Sequence, residues 1–211
     1  MAISIMRAGV RWIERFLSRR YHVFEFSAEP DNILRVARMN SGREVVLSDG
    51  TVIHQGDALL VLHLWNERLP SPWRDDVNLG WRTLLGYNLR ASARLLAQYL
   101  TVQSEFDNVC AISGEMGLIA ASQIEQAQRV AARFGFDLLA GEQPGWKVWR
   151  YAFWQNAFSW WLVWTFNPVS LKGKSLAELQ RCEIWASRAQ FMRHGRSRAQ
   201  ERRNPDVLSR S

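Results

Sequence analysis

Six residues in one short stretch hold the densest set of titratable and hydrogen-bonding side chains in this sequence: His54, Asp57, His63, Asn66, Glu67 and Arg68. An imidazole facing a carboxylate in a cleft can pass a proton near neutral pH. His63 and Glu67 are two period-two steps apart, so an extended chain puts both on one face with Trp65 between them. They form the candidate catalytic acid–base pair. His54, Asp57, Asn66 and Arg68 are the candidate ligand contacts. Arg188, far along the chain, joins them as an anion partner if it projects into the same cleft. His54 and Asp57 added to the pair would also make a metal set, but no metal and no cofactor is assigned. The plainer alternative makes His63 an edge or core histidine bonded to main chain, and Asp49 and Asp57 ordinary turn residues. Nucleophile patterns are weaker. Ser113-Gly114-Glu115 lacks the flanking glycines of a hydrolase elbow, and neither Cys110 nor Cys182 has a histidine nearby in sequence. Two cysteines in apolar surroundings read as buried thiols of a reducing compartment.

These side chains need a frame, and the stretch Arg43–Pro70 reads as three short strands. Val45-Val46-Leu47 enters Ser48-Asp49-Gly50-Thr51, and Val52-Ile53-His54 leaves it. Asp-Gly between apolar runs predicts a type I′ hairpin pairing Leu47 with Val52 and Val46 with Ile53. Gln55-Gly56-Asp57 then turns the chain into the run Ala58–Trp65. Tyr21–Phe26 and Ile33–Met39 read as two further strands that could complete one antiparallel sheet.

A helix is expected from about Gly80 to Val102, its apolar stripe formed by Leu85, Leu89, Ala93, Leu96 and Leu100. Arg82, Arg90 and Arg94 line another side, either as a solvated face or as a phosphate or carboxylate clamp. Val109–Ile112 reads as a buried central strand, followed by a glycine-bearing turn at Ser113–Gly117. A helix to about Phe134 follows, with Ser122 and Glu125 fitting a capping box, and then a strand from Phe136 to Leu139. The run resembles a βαβ-type crossover, and the turn carries no phosphate-loop signature. Gly145–Val169 holds six of the eleven tryptophans. It is read as core, or as an interfacial or ligand-facing surface, since its amides and serine suit hydrocarbon poorly. Ser175 with Glu178 predicts a last helix through Trp185 to about Met192, and Arg193 onward reads as a disordered basic tail.

The segment LSDGTVIHQGDALLVLHLWNERLP resembles the YkoP-like domain of bacteria. Ile112-Ser113-Gly114 with Phe134-Gly135-Phe136, and Glu183–Arg188 followed by Met192 and Gly195, fit the same family, so the likeness spans roughly residues 20 to 195. In some bacteria a similar domain is joined to a polysaccharide deacetylase. The resemblance implies a cell-envelope context and no particular mechanism.

At 211 residues the chain is long enough for one domain with a full core. Its net charge of +7 is confined to the ends. Residues 1–20 carry five arginines against Glu14, and residues 193–211 carry six against two acids. The 172 residues between hold 16 basic and 17 acidic groups. A neutral body excludes a specific nucleic-acid reader and directs the ends toward polyanions or membrane. Residues 2–21 form an amphipathic pattern, with Ile3, Met6, Val10, Ile13 and Leu17 on one stripe and Arg7, Arg11, Arg15 and Arg19 on another flank. Arginines interrupt it before a signal-peptide core develops. Either the stripe docks on the body, or it lies on an anionic leaflet, joined there by the Trp-rich segment.

The expectation is therefore a single α+β domain at residues 21–192 with a twisted, mostly antiparallel sheet packed by helices. A basic helix (1–20) precedes it and a basic tail (193–211) follows. The expected protein is cytoplasmic, peripheral on the inner membrane in the leaflet reading, and binds a polar small molecule or envelope precursor. The alternatives are an enzyme working through His63 and Glu67, and a scaffold without a pocket.

Overall fold

The computed structural model describes residues 22–65, 68, 79–120, 123–140 and 179–201, and every structural statement below concerns these. The helix expected over 2–21, the Trp-rich segment 145–169, Ser122, Ser175 and residues 202–211 lie outside them.

Extended, β-branched and leucine-rich runs make a five-stranded mixed sheet, so the α+β expectation holds. β1 (Leu34–Asn40) and β4 (Ala58–Leu64) pair antiparallel, with Val36 opposite Leu62 and Arg35 opposite His63. β5 (Ala111–Ala120) runs parallel to β4, joined to it through α1 (Leu79–Val102) and a 3-10 turn at Ser104–Phe106. β7 (Leu179–Ser187) pairs antiparallel with β5 on one side and with β6 (Asp137–Ala140) on the other, giving the order β1-β4-β5-β7-β6. α2 (Ile124–Arg133) links β5 to β6, so that crossover spans the position taken by β7. α3 (Arg188–Glu201) continues directly from β7.

The sheet is covered on both faces. On one side Leu60, Val36, Ile112 and Ala186 pack under Leu96, Leu100, Ala131 and Phe191 of the three helices. On the other, Leu59, Ala111 and Trp185 lie beneath Val45, Leu47 and Ile53 of a separate two-stranded ribbon, β2 (Val45–Val46) and β3 (Val52–Ile53). Full burial of a leucine or isoleucine is worth about 1.5–3 kcal/mol each, so both covers are held by apolar area. Among the described residues no helix is long and apolar enough to cross a membrane.

Four local expectations are corrected. The ribbon turns through a three-residue loop, with Val45 opposite Ile53 and Val46 opposite Val52, one residue out of the type I′ register. Asp49 keeps an ordinary negative φ while Gly50 takes φ +81°. The Gly50 N–H reaches Leu47 O, and the Leu47 N–H reaches Thr51 O, as in a type I turn closed by a glycine bulge. This register puts Val45 and Ile53 together in the core and leaves Val46 and Val52 exposed. Second, Tyr21–Phe26 supplies only a single bridge, Phe24 to Val36, among the described residues. Third, Ser113–Gly117 is strand, not turn. Gly114 is there because a Cβ would sit 3.3 Å from the Leu62 Cβ and 3.4 Å from Ile184. As a strand the segment points successive N–H groups to opposite sides and does not converge them on an anion as a turn would. Fourth, Leu179–Ser187 is strand where a helix is expected, and the last helix runs on to Glu201.

Candidate functional site

Two turns and a helix start determine where the predicted site residues go. His54 follows β3 and is exposed. Its backbone N–H donates to Asp57 Oδ2 at 2.8 Å, and its Nδ1 lies 3.1 Å from Glu44 Oε2. Asp57 thus closes the Gly56 turn, the plainer role open to it. His63 is five residues further along β4 than Ala58, which is about 16 Å of extended chain. Asn66 and Glu67 lie outside the described residues. Arg68 donates from Nη1 to Glu29 O at 2.8 Å, and its guanidinium sits 3.7 Å from the centre of the Trp65 ring. His54 and Asp57 therefore lie at one end of β4, and His63 and Arg68 at the other.

Arg188 belongs to the His54 end of β4. Its N–H donates to Cys110 O, and the Cys110 N–H donates to Ala58 O. Its guanidinium is spent on Phe106 O, Leu100 O at 3.2 Å and Asp107 Oδ1 at 3.1 Å. It caps the end of the α1 region from across the chain.

The His63 end is a cation–aromatic stack. Arg35, opposite His63 in the ladder, lies 4.2 Å from the Trp65 ring centre, and its Nε is 3.9 Å from Glu25. Three buried polar atoms here have no hydrogen-bond partner: Arg35 Nε, His63 Nε2 and Trp65 Nε1. Burial, and after it the positive charge of Arg35, push the His63 pKa below its ordinary value. The imidazole is therefore neutral at pH 7 and able to accept a proton.

An open concavity lies elsewhere. A cleft of about 580 Å³ opens where the ribbon tip, the C-terminal turn of α1 and the start of α3 meet. Thr51, Thr101, Asp107, Cys110 and Arg188 supply its polar wall, with Leu100 and Met192 among its apolar residues. Asp49 fixes its rim. Asp49 Oδ1 accepts the Thr51 N–H at 3.0 Å, and its Oδ2 accepts the Ser187 hydroxyl at 2.6 Å. The same Ser187 oxygen accepts the Gln190 N–H at 3.0 Å, making it the N-cap of α3. The Ser187 bond first, and then the Thr51 N–H, hold the Asp49 carboxyl below its ordinary pKa. On the other flank Ser48 N and Oγ both donate to Asp137, at 2.7 and 2.6 Å. Burial, and after it the charge of Asp57, push the Cys110 thiol up, so the cleft holds a thiol and not a thiolate nucleophile.

The sequence reading missed Asp49, Thr51, Ser187 and Cys110 as neighbours, because they come from three elements distant in the chain. The sequence carries no signal for Ser187, which falls inside the helix expected from Ser175 to about Met192. Among the described residues no three His, Cys, Asp or Glu side chains are grouped to hold a metal ion.

The family model of the YkoP domain matches residues 4–194. No curated protein and no solved structure matches the chain. The chain belongs to the YkoP domain family.

Proposed function

We propose that this member of the YkoP family binds a polar small molecule of cell-envelope type in the cleft at the ribbon tip. The observation that carries the reading is the cleft itself. About 580 Å³ lies within the range of small-molecule sites, and hydroxyl and carboxylate groups stand there beside an apolar wall. A sugar has that two-sided character, with hydroxyls for Thr51 and Asp107 and a C–H face for Leu100 and Met192. N-acetylglucosamine and its uridine diphosphate derivative are suitable probes. Calorimetric titration of the full chain is expected to show saturable binding that weakens in Thr51→Val and Thr101→Val. Binding of neither probe, or binding indifferent to both substitutions, would refute the reading.

The protein would act in the cytoplasm at the inner membrane, with the five arginines of residues 1–20 and the Trp-rich segment toward anionic lipid. Support comes from charge placement alone. Retention by phosphatidylglycerol vesicles should fall when Arg7, Arg11, Arg15 and Arg19 are replaced by glutamine, and an unchanged retention would end the idea.

One observation favours a second reading, acid–base chemistry at His63: its neutral imidazole carries an unpartnered Nε2. Glu67, its proposed partner, lies outside the described residues. Incubating the protein with either probe and finding no His63-dependent product by mass spectrometry would remove this reading.

A further inference from the structure

A second hollow lies in the seam of the helix layer, about 10 Å further along α3 from the cleft. There α1, α2 and α3 meet around a groove of about 60 Å³ lined by Arg90, Arg94, Arg133 and His194, with Phe134 and Phe191. Arg90 and Arg94 are one turn apart on the same face of α1. Arg133 is the last residue of α2. The Arg90 guanidinium lies 5.4 Å from the Phe134 ring centre, a contact that limits its wandering. His194 is held from both sides. Its Nδ1–H donates to Gln190 O at 3.0 Å, and its ring packs so closely on Gly135 that a Cβ there would come within 2.5 Å.

No carboxylate balances the positive charge of this groove among the described residues. Arg35, Arg43, Arg129 and Arg188 each have a carboxylate within 4.0 Å. Arg90, Arg94 and Arg133 have none among the described residues, and no acid lines the groove. Three like charges around one hollow repel one another until an anion sits between them. The planar fork of a guanidinium matches phosphate oxygens two at a time, which a lysine cannot do. At about 60 Å³ the groove is small, which favours a compact anion such as a phosphate group.

We infer that Arg90, Arg94 and Arg133 form a phosphate-binding site that receives the terminal phosphate of a monoester. This site is independent of the cleft and of the reading given to it. The phosphate can belong to a soluble phosphorylated metabolite or to a phosphatidic acid headgroup, and both present the same dianion to the groove.

Calorimetry of the full chain with inorganic phosphate and with glycerol 3-phosphate tests the inference. Arg94→Gln and Arg133→Gln should each weaken uptake about tenfold or more. Arg129→Gln, which removes a charge already facing Glu125 at 3.9 Å, should leave it unchanged. Arg94→Lys should stay weakened because it keeps the charge and loses the fork. These side chains lie at the surface seam, and melting curves matching the wild type would show that the variants fold. No saturable uptake by the wild type would overturn the inference, as would an equal loss in Arg129→Gln or full recovery in Arg94→Lys. A parallel arm uses phosphatidic acid vesicles. Retention that glycerol 3-phosphate displaces and Arg94→Gln abolishes supports the site with a lipid source. Glycerol 3-phosphate binding without vesicle retention supports it with a soluble one. Vesicle retention that glycerol 3-phosphate cannot displace, with no binding of that compound, would overturn it.

Discussion

Replacing Ser187 with alanine tests how the ribbon is fastened to the rest of the fold. Ser187 is 2% exposed, and its hydroxyl serves two elements at once: it caps α3 through the Gln190 N–H and donates to Asp49 at the ribbon tip. Loss of an N-cap costs about 1 kcal/mol. A hydrogen bond to a carboxylate is worth about 1.5–3 kcal/mol where it is shielded from water. Asp49 is exposed, so screening reduces that to about 1 kcal/mol. The total is about 2 kcal/mol, or roughly 4–8 °C in Tm for a chain of this length. Asp49→Asn keeps an acceptor oxygen and loses the charge, so it should cost about 0.5–1 kcal/mol. Circular-dichroism melts of both single variants and the double variant form a cycle, with an expected coupling of at least about 0.5 kcal/mol. The pH dependence has a fixed sign. Asp49 is held below its ordinary 3.8, so the folded protein binds fewer protons there than the unfolded chain. Its contribution is complete above pH 3.8 and is lost as pH falls through the depressed value. The gap between wild type and Asp49→Asn should therefore be flat from neutral pH down to about pH 4 and narrow below. Additive single effects, or a gap that widens in acid, would refute the clamp.

Two other perturbations probe different parts of the structure. His63 is held below its ordinary 6.5 by burial and by Arg35, so the unfolded chain takes up a proton before the folded one does. Stability from this group is complete above 6.5 and is lost as pH falls toward the depressed value, and His63→Gln should flatten the denaturant midpoint between about pH 7.5 and 5.5; parallel wild-type and variant profiles would contradict the burial argument. Gly195→Ala would place a Cβ 2.7 Å from the Ala97 Cβ across the α1–α3 seam, costing about 1–3 kcal/mol by overpacking. Ala97→Gly in the same chain should recover part of it, whereas a neutral single variant would mean the helices are not this close.

How much of this was legible in the sequence depended on whether one face of an element meets water. β1 and α1 were read from their patterns nearly to their ends, because Met39 and Tyr87 leave an exposed side to set the period. β7 was not. Ile184 and Ala186 face the helices while Trp185 faces the ribbon, so no polar–apolar alternation survives in the sequence to mark the segment as strand. The cap of α3 is Ser187, while Ser175 lies outside the described residues. The ribbon's existence followed from Asp-Gly, but its register did not. The Asp49 side chain satisfies the Thr51 N–H from a negative φ, which selects the three-residue turn over type I′. The candidate site was the least legible part. Proximity in sequence put His54 beside His63, and an extended strand then carried them apart.

The polar richness of the ribbon has a structural cause, and that cause locates the remaining chemistry. A three-layer fold must tie a two-stranded ribbon to a sheet, and isolated ribbons are marginal in water. The acids of this region are used for that purpose. Asp49 holds Ser187, Asp137 holds Ser48, Asp57 holds the His54 N–H, and Glu183 receives both Arg43 and the Trp185 indole at 2.8 Å. A carboxylate fixed by two donors has little capacity left to move protons or hold a ligand. The helix side shows the reverse. Arg90, Arg94 and Arg133 have no acid to hold, although the body of the chain carries acids and bases in near-equal number. The three arginines that share the α1–α3 groove have no carboxylate in it among the described residues, so positive charge collects on that seam. An anionic ligand is expected there, and a polar one in the cleft beside it, ahead of the polar stretch of residues 54–68.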